Sequence, residues 1–478
     1  MTKEPFYDRH EEIRYFREKY IHLKKGELIV FYGRRRLGKT RLIKRFLDES
    51  SGKKIYSFVN FVEEKELMVS FANDILAMTG DSVKIDRWSI LFDYLYEEAE
   101  KEKVIFVIDE FQRLKTLAPG FITELQNYWD SKLKNCTLML VIVGSSIGMM
   151  RKIAVSASGV LYGRKTGEIQ LRPFRYVDFR EVFPSLSEED KINWYAVFGG
   201  TPYYLELIHE IKNLKEAILK IVLEKNSPLR EEAKNLLEFE LRVIARYNSI
   251  LQAIAQGKQI IKEISDETGI PAMSLPQYID KFIKLLNLVE KKEPLLGKEK
   301  NSRYVLSDNF FKFWYLFVFP NQSSLEIGNT KYVLDKIDSE LNGYVGRVFE
   351  NIVREAFILY NGANIKDIAL DFTNIGSWWD RTGREIDLVI ENKNELILGE
   401  IKWTNNPMDG IVLEDLMRKT QFVNYRGRIT YVLISKNGFS RSCQDLAAKT
   451  HTTLLDLKEL ESLFILATKK NVERRKIL

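Results

Sequence analysis

Eight residues constrain this chain more than any others: Gly33 to Thr40 read GRRRLGKT and lie between the apolar run GELIVFY and the helical pattern RLIKRFL. Gly33 and Gly38 let a loop fold so that backbone N–H groups converge on phosphate oxygens, and a helix starting there adds the positive end of its dipole. Lys39 is then placed to reach the β- and γ-phosphates of ATP, and the Thr40 hydroxyl to ligate Mg²⁺. The stretch Gly33, Arg34, Arg35, Arg36, Leu37, Gly38, Lys39, Thr40 and Arg41 is therefore expected to line the nucleotide.

A strand, such a loop and a helix belong to an α/β sheet, and the next 140 or so residues keep that rhythm, because KKIYSFVN, VIFVIDEF and TLMLVIVGSS alternate with helical patterns. Continuous Val, Ile and Leu runs mark strands of a parallel sheet covered on both faces. The run VIFVIDEF ends in Asp109 and Glu110. The first is read as holding Mg²⁺, the second as orienting or deprotonating the attacking water. Ser145 and Ser146 end the following strand, where they either approach the γ-phosphate or simply cap a helix. Arg164, in LYGRKTGE, is either a loop salt-bridge donor or an arginine finger acting in cis or in trans.

Composition narrows the field without deciding it. Of 478 residues 45% are hydrophobic, ample for several cores, and a net charge of +6 permits nucleic-acid binding without demanding it. No apolar run is long enough to span a membrane and the first residues are charged, so a cytoplasmic protein without a membrane partner is expected. Cys136 and Cys443 stand far apart, without metal-ligand spacing. From about 185 to 255 the pattern is helical, broken at Gly199-Gly200-Thr201-Pro202, as a helical lid would be. Between about 241 and 308, three short helical patterns precede two strands joined by a polar turn, the order of a winged helix-turn-helix. Its recognition helix would run from Ser274 to Leu286, with Gln277, Lys281 and Lys284 facing DNA together with Lys291, Lys292, Lys298 and Lys300 of the wing. An aromatic cluster from Phe310 to Phe319 then ends at Pro320-Asn321-Gln322-Ser323-Ser324, which reads as a linker.

The last part mixes strands and helices again. In REIDLVIENKNELILGEIKW, Glu400 and Lys402 fall on one strand face by period-two alternation, and a hairpin can bring Asp387 beside them. A carboxylate inside an apolar strand is costly unless paired or bound to a cation. Two such groups can bind a second Mg²⁺ or a Mn²⁺, and Lys402 can activate water against a phosphodiester. The spacing resembles the core of PD-(D/E)XK nucleases, and in that resemblance Glu350, in VGRVFENIVREAF, matches the upstream acidic ligand. Glu385 faces the same way as Asp387, Lys419 and Gln421 extend the set, and Trp378-Trp379 read as core.

Taken together, FYDRHEEI, GRRRLGKT, VIDEF, GSSIGMM, LYGRKTGEIQLRPF, FGGTPYYL, YVLSDNFFKFWYLFVFP and GEIKW resemble the archaeal ATPase family, a branch of the AAA+ and STAND-type P-loop NTPases. The resemblance implies that Phe6, Arg9 and Glu12 form an N-terminal motif near the nucleotide base. It also implies that Gly200-Thr201-Pro202 is a lid motif through which Tyr203 senses the nucleotide. The expected architecture is α/β: a P-loop ATPase core over 1–180, a helical lid over 181–240, a winged helix over 241–320 and a nuclease-like, restriction-endonuclease-type domain over 321–478. The expected function is Mg-dependent ATP hydrolysis coupled to DNA binding and metal-dependent cleavage. The alternative is a nucleotide-controlled assembly switch with an inactive nuclease-like scaffold. Self-association into a homo-oligomer is left open.

Overall fold

The computed structural model describes residues 9–241, 244–298 and 301–466; Phe6 and Lys300 lie outside them. These residues form two compact units. The first comprises residues up to Pro173 with Thr201–Tyr203 and Asp280–Leu286, and the second Phe174–Gly200, Tyr204–Ile279 and the residues from Asn287 onward.

In the first unit β1 (Glu27–Tyr32), β2 (Lys53–Phe58), β3 (Val104–Asp109), β4 (Leu138–Gly144) and β5 (Gly167–Gln170) make one five-stranded sheet in the order β2-β3-β4-β1-β5. Every pairing is parallel. Alternate residues of each strand bury on opposite faces: Leu28, Val30 and Tyr32 join one core with Phe71, Trp88 and Phe121, while Ile29 and Phe31 join another with Phe16, Ile43 and Phe46. Covering both faces is why the strands read as unbroken apolar runs. Because β4 separates β1 from β3, the chain ends leaving all three strands collect at one sheet edge.

The second unit begins with helices and ends in a mixed sheet. Helices α1 (Ala245–Ala255), α2 (Ile261–Thr268) and the start of α3 (Leu275–Lys281) precede the antiparallel hairpin β6 (Val289–Lys292) and β7 (Arg303–Leu306). The aromatics Phe310, Phe311, Phe313, Trp314, Tyr315 and Phe317 are buried, and the polar tips of Trp314 and Tyr315 find partners. Trp314 Nε1 donates to the Arg230 carbonyl at 2.8 Å and the Tyr315 hydroxyl to Asn248 at 2.7 Å. The expected linker after it is helical instead, a 3-10 turn over Phe319–Asn321 and a helix over Gln322–Glu326. Pro320 sits in a first helical turn, where its missing N–H costs nothing, and Asn321 donates to the Phe317 carbonyl at 2.7 Å. The long helix α4 (Thr330–Leu359) follows. Two short strands, β8 (Asn364–Ile365) and β9 (Ile368–Ala369), pair with each other. Then β10 (Phe372–Trp379), β11 (Glu385–Asn392), β12 (Glu395–Lys402), β13 (Arg428–Ser435) and β14 (Thr453–Asp456) form a second five-stranded sheet in chain order. It is antiparallel through β12 and parallel beyond, the parallel crossovers carrying α5 (Gly410–Thr420) and α6 (Arg441–Thr450). Among the described residues no helix is long and apolar enough to cross a membrane.

Candidate nucleotide and carboxylate sites

At the sheet edge of the first unit, Gly38 has φ +84°, a left-handed conformation that any side chain would strain, and it caps the helix Lys39–Glu49. Gly33 lies so close to Leu171 that an added Cβ would stand 2.6 Å from its carbonyl oxygen. The two glycines thus fix where the loop turns. Lys39 is buried, its Nζ donating to the Gly33 and Arg34 carbonyls at 2.8 Å each. The Thr40 hydroxyl donates to Asp109 at 2.9 Å, which brings the end of β3 to the start of that helix. Asp109 is 2% exposed and accepts further bonds from the Tyr56 hydroxyl at 2.6 Å and the Glu110 N–H at 2.8 Å. The Thr40 and Tyr56 hydroxyls and the Glu110 N–H thus converge on a buried carboxylate at the start of the loop helix. A hard divalent cation with water in its remaining positions fits such a donor set. Burial and the neighbouring Asp109 charge push the Tyr56 hydroxyl far above its ordinary range, so it stays a donor. Sequence reasoning missed Tyr56, whose only signal was an unusual polar atom inside a strand next to the acidic one.

Glu110 stands beyond the strand with φ +58°. Its carboxylate accepts from Gln112 at 2.6 Å and Ser145 at 2.8 Å, and Arg113 lies 3.4 Å away. Ser145 therefore works on the carboxylate through the gap between β3 and β4, while the Ser146 side chain caps the helical turn Ile147–Met150. Arg164 lies in a 3-10 turn with its guanidinium bidentate on Asp130 at 2.9 and 2.5 Å. Arg9 adopts a left-handed backbone and donates to the Arg172 carbonyl at 2.6 Å, with Glu12 at 3.3 Å. Pro202 opens the helix that carries Tyr203, whose N–H reaches the Arg36 carbonyl at 3.4 Å and whose ring lies 4.4 Å under the Arg36 guanidinium.

In the second unit Asp387, Glu400 and Lys402 meet across β11 and β12. Lys402 Nζ lies 3.1 Å from Asp387 and 2.8 Å from Glu400, and Asp387 also accepts the Ile401 N–H at 3.0 Å. Lys419, projecting from α5, donates to the other Glu400 oxygen at 2.8 Å. Gln421 is exposed beyond the end of α5, and Trp378 and Trp379 are each 4% exposed. Glu400 is 2% exposed; burial first and the Asp387 charge second push its carboxyl up to about 7. Glu350, on α4, is likewise held up to about 7 by burial and by Asp387, with Arg354 at 3.7 Å. Glu385 instead turns to Arg303 at 2.9 Å. Two carboxylate oxygens already share one cation position, the one Lys402 fills, but among the described residues no three acidic, His or Cys side chains group closely enough to hold a metal. The set fits a divalent ion only as a two-carboxylate site with Lys402 displaced.

Of the described hairpin lysines, Lys291 and Lys298 are exposed and Lys292 is half-buried. Lys291 pairs with Glu293 at 2.7 Å, and Lys292 turns inward to Asn351 at 3.1 Å. Lys284 pairs with Asp280 at 2.7 Å. Together with α4 and β10 to β12, the hairpin encloses a cleft of about 760 Å³ whose lining includes Lys292, Lys312, Arg347, Glu350, Asp387 and Glu400.

Comparison with known proteins places these sites in context. A family described as an ATPase domain predominantly from Archaea matches residues 6–208, and one described as archaeal and bacterial proteins of unknown function matches residues 314–416. An uncharacterized protein of Methanocaldococcus jannaschii is 32% identical over 432 residues, covering 87% of this chain and 92% of that protein. Among solved structures, the Walker-type ATPase of Pyrococcus abyssi superposes with a TM-score of 0.50 at 22% identity, covering 66% of this chain and 97% of that one, a likeness of fold.

Proposed function

Because this chain belongs to the family of ATPases found predominantly in archaea, we propose that it binds Mg-ATP along Gly33–Arg41 and hydrolyses it at the edge of its parallel sheet. The observation that carries this reading is the 2.9 Å approach of the Thr40 hydroxyl to Asp109 beside the buried Lys39. When bound, Mg²⁺ would supply charge neutralisation at the β- and γ-phosphates. Loop amides and Lys39 hold the phosphate oxygens, and Thr40 and Asp109 are the residues that would hold the ion. Ser145 and Gln112 aim the Glu110 carboxylate, which orients and deprotonates the attacking water. Arg9 and Tyr203 flank the nucleotide, and Arg164 would act only after leaving Asp130. Replacing Glu110→Gln should leave ATP bound and cut phosphate release by about a hundredfold or more; ordinary turnover would remove Glu110 from the mechanism.

The finer reading is that the nucleotide cycle drives nucleic-acid handling by the second unit, whose helices and hairpin form a winged helix and whose mixed sheet is nuclease-like. Asp387 and Glu400 would be the metal-binding pair, Glu350 a neighbouring acid, and Lys402 the group that activates water. Labelled single-stranded, duplex and branched DNA incubated with Mg²⁺ or Mn²⁺ tests this: cleavage by the wild type that Asp387→Ala abolishes supports it. A second reading, a nucleotide-controlled switch with an inactive scaffold, is favoured by one observation. Lys402 and Lys419 already neutralise Glu400. Absence of cleavage by either protein selects it.

A further inference from the structure

We propose that the cleft beside Asp387 and Glu400 takes a single strand or free end of nucleic acid and not an intact duplex, with Lys312 and Arg347 meeting its backbone phosphates. This rests on the reading that the second unit handles nucleic acid, and goes beyond it by naming the form of substrate and two residues outside the carboxylate set.

The hairpin is stapled to the mixed sheet: the Leu295 N–H donates to the Ser377 carbonyl at 2.9 Å, and Trp379 Nε1 to the Asn301 carbonyl at 2.7 Å. Arg303 pairs with Glu385 at 2.9 Å while its guanidinium lies 4.5 Å over the Trp379 ring. These contacts hold the hairpin against the mixed sheet. The hairpin forms one wall of the cleft, whose volume of about 760 Å³ lies in the range of pockets that take a small ligand. A continuous duplex holds its two backbones apart across a groove about 12 Å wide, so only one of them can enter a space of that size.

Lys312 and Arg347 both line the cleft, and neither makes a hydrogen bond or an ion pair among the described residues. Lys312 has only the Tyr344 ring, 5.9 Å from its Nζ. Arg347 lies one helical turn before Glu350 on α4, at the exposed mouth. Burial, then the positive charge of Arg347, draws the half-buried Lys312 ammonium down to about 8, so the two cations feel each other. Like charges kept together cost stability that the neighbouring Glu350 carboxyl offsets only in part, and an anion entering between them removes the remainder. A phosphodiester seated there would have its neighbouring linkage directed inward toward Lys402 and Asp387.

The test uses the full-length chain in EDTA without ATP, so that no cleavage intervenes, and fluorescence anisotropy of a labelled twelve-residue oligothymidylate. The wild type should bind it, with a log–log salt slope that shrinks by about 0.7 for each phosphate contact removed. Arg347→Ala and Lys312→Met should each weaken binding about tenfold. Covalently closed circular duplex should fail to displace the strand at equal nucleotide concentration. Melting temperatures of the two variants should be unchanged or raised, since an unpaired cation has been removed; a clear fall would mean the residues are structural and would overturn the proposal. Unchanged affinity and slope in both variants, or displacement by circular duplex, would also overturn it while leaving nucleic-acid binding intact. If the wild type binds no nucleic acid of any form, the functional reading falls with it.

Discussion

Lys402→Met is the substitution whose effect the geometry determines most closely. Methionine keeps the aliphatic stem but removes the ammonium that sits 2.8 Å from Glu400 and 3.1 Å from Asp387. Removing one partner of a buried ion pair costs about 3–5 kcal/mol. Here the lysine side chain is 38% exposed and Lys419 still holds the other Glu400 oxygen, so screening and the second cation reduce the loss to about 1–2 kcal/mol. The loss depends on pH in a definite direction. With Lys402 in place the Glu400 carboxyl already titrates at about 7, above its ordinary 4.5, so the folded state binds the extra proton and stability falls as the pH rises through that window. Without Lys402 the group is harder still to ionise, so the deficit of the variant is largest at pH 8 and shrinks toward pH 5, where Glu400 is neutral in both proteins and only the lost Asp387 contact remains. Hydrogen exchange of the β12 amides at the two pH values reads the local opening free energy directly. An equal loss at pH 5 and pH 8 would show that the lysine acts by packing and not by charge.

Other consequences are simpler. Gly200→Ala should cost about 2 kcal/mol or more, or leave the protein insoluble, because a Cβ there would stand 1.9 Å from the Phe174 carbonyl oxygen; the melting temperature reads it. Glu355 accepts the Tyr176 and Val177 N–H groups at 3.2 and 2.9 Å, and burial holds its carboxyl up to about 7. Glu355→Gln should therefore flatten the decline in stability between pH 4.5 and 7, with its benefit appearing at the alkaline end of denaturation curves.

What could be read from the residues alone follows from how local each interaction is. The phosphate loop was legible because strand, glycine turn and helix are contiguous, and because strands buried on both faces carry no polar interruptions. The order of those strands was not, since nothing in β4 announces that it inserts between β1 and β3. That insertion brings Ser145 onto Glu110. In the second unit, period-two alternation places Glu400 and Lys402 on one face, and the hairpin brings Asp387 across. Pro320 misled for a physical reason: a proline followed by Asn, Gln and Ser suits a helix start as well as a linker, and the preceding aromatic core decides between them. Lys312 and Arg347 carried no signal at all. One sits within an aromatic run and the other on a long amphipathic helix, and only the docking of the hairpin gives them a common cleft.

Calorimetric titration of Mg-ATP into the wild type, Lys39→Ala and Asp109→Asn tests the convergence of loop, lysine and carboxylate on one triphosphate. The wild type should bind with a heat that depends on Mg²⁺, Asp109→Asn should lose most of that dependence, and Lys39→Ala should give no binding signal. No heat from the wild type, or the same isotherm from Lys39→Ala, would contradict the account.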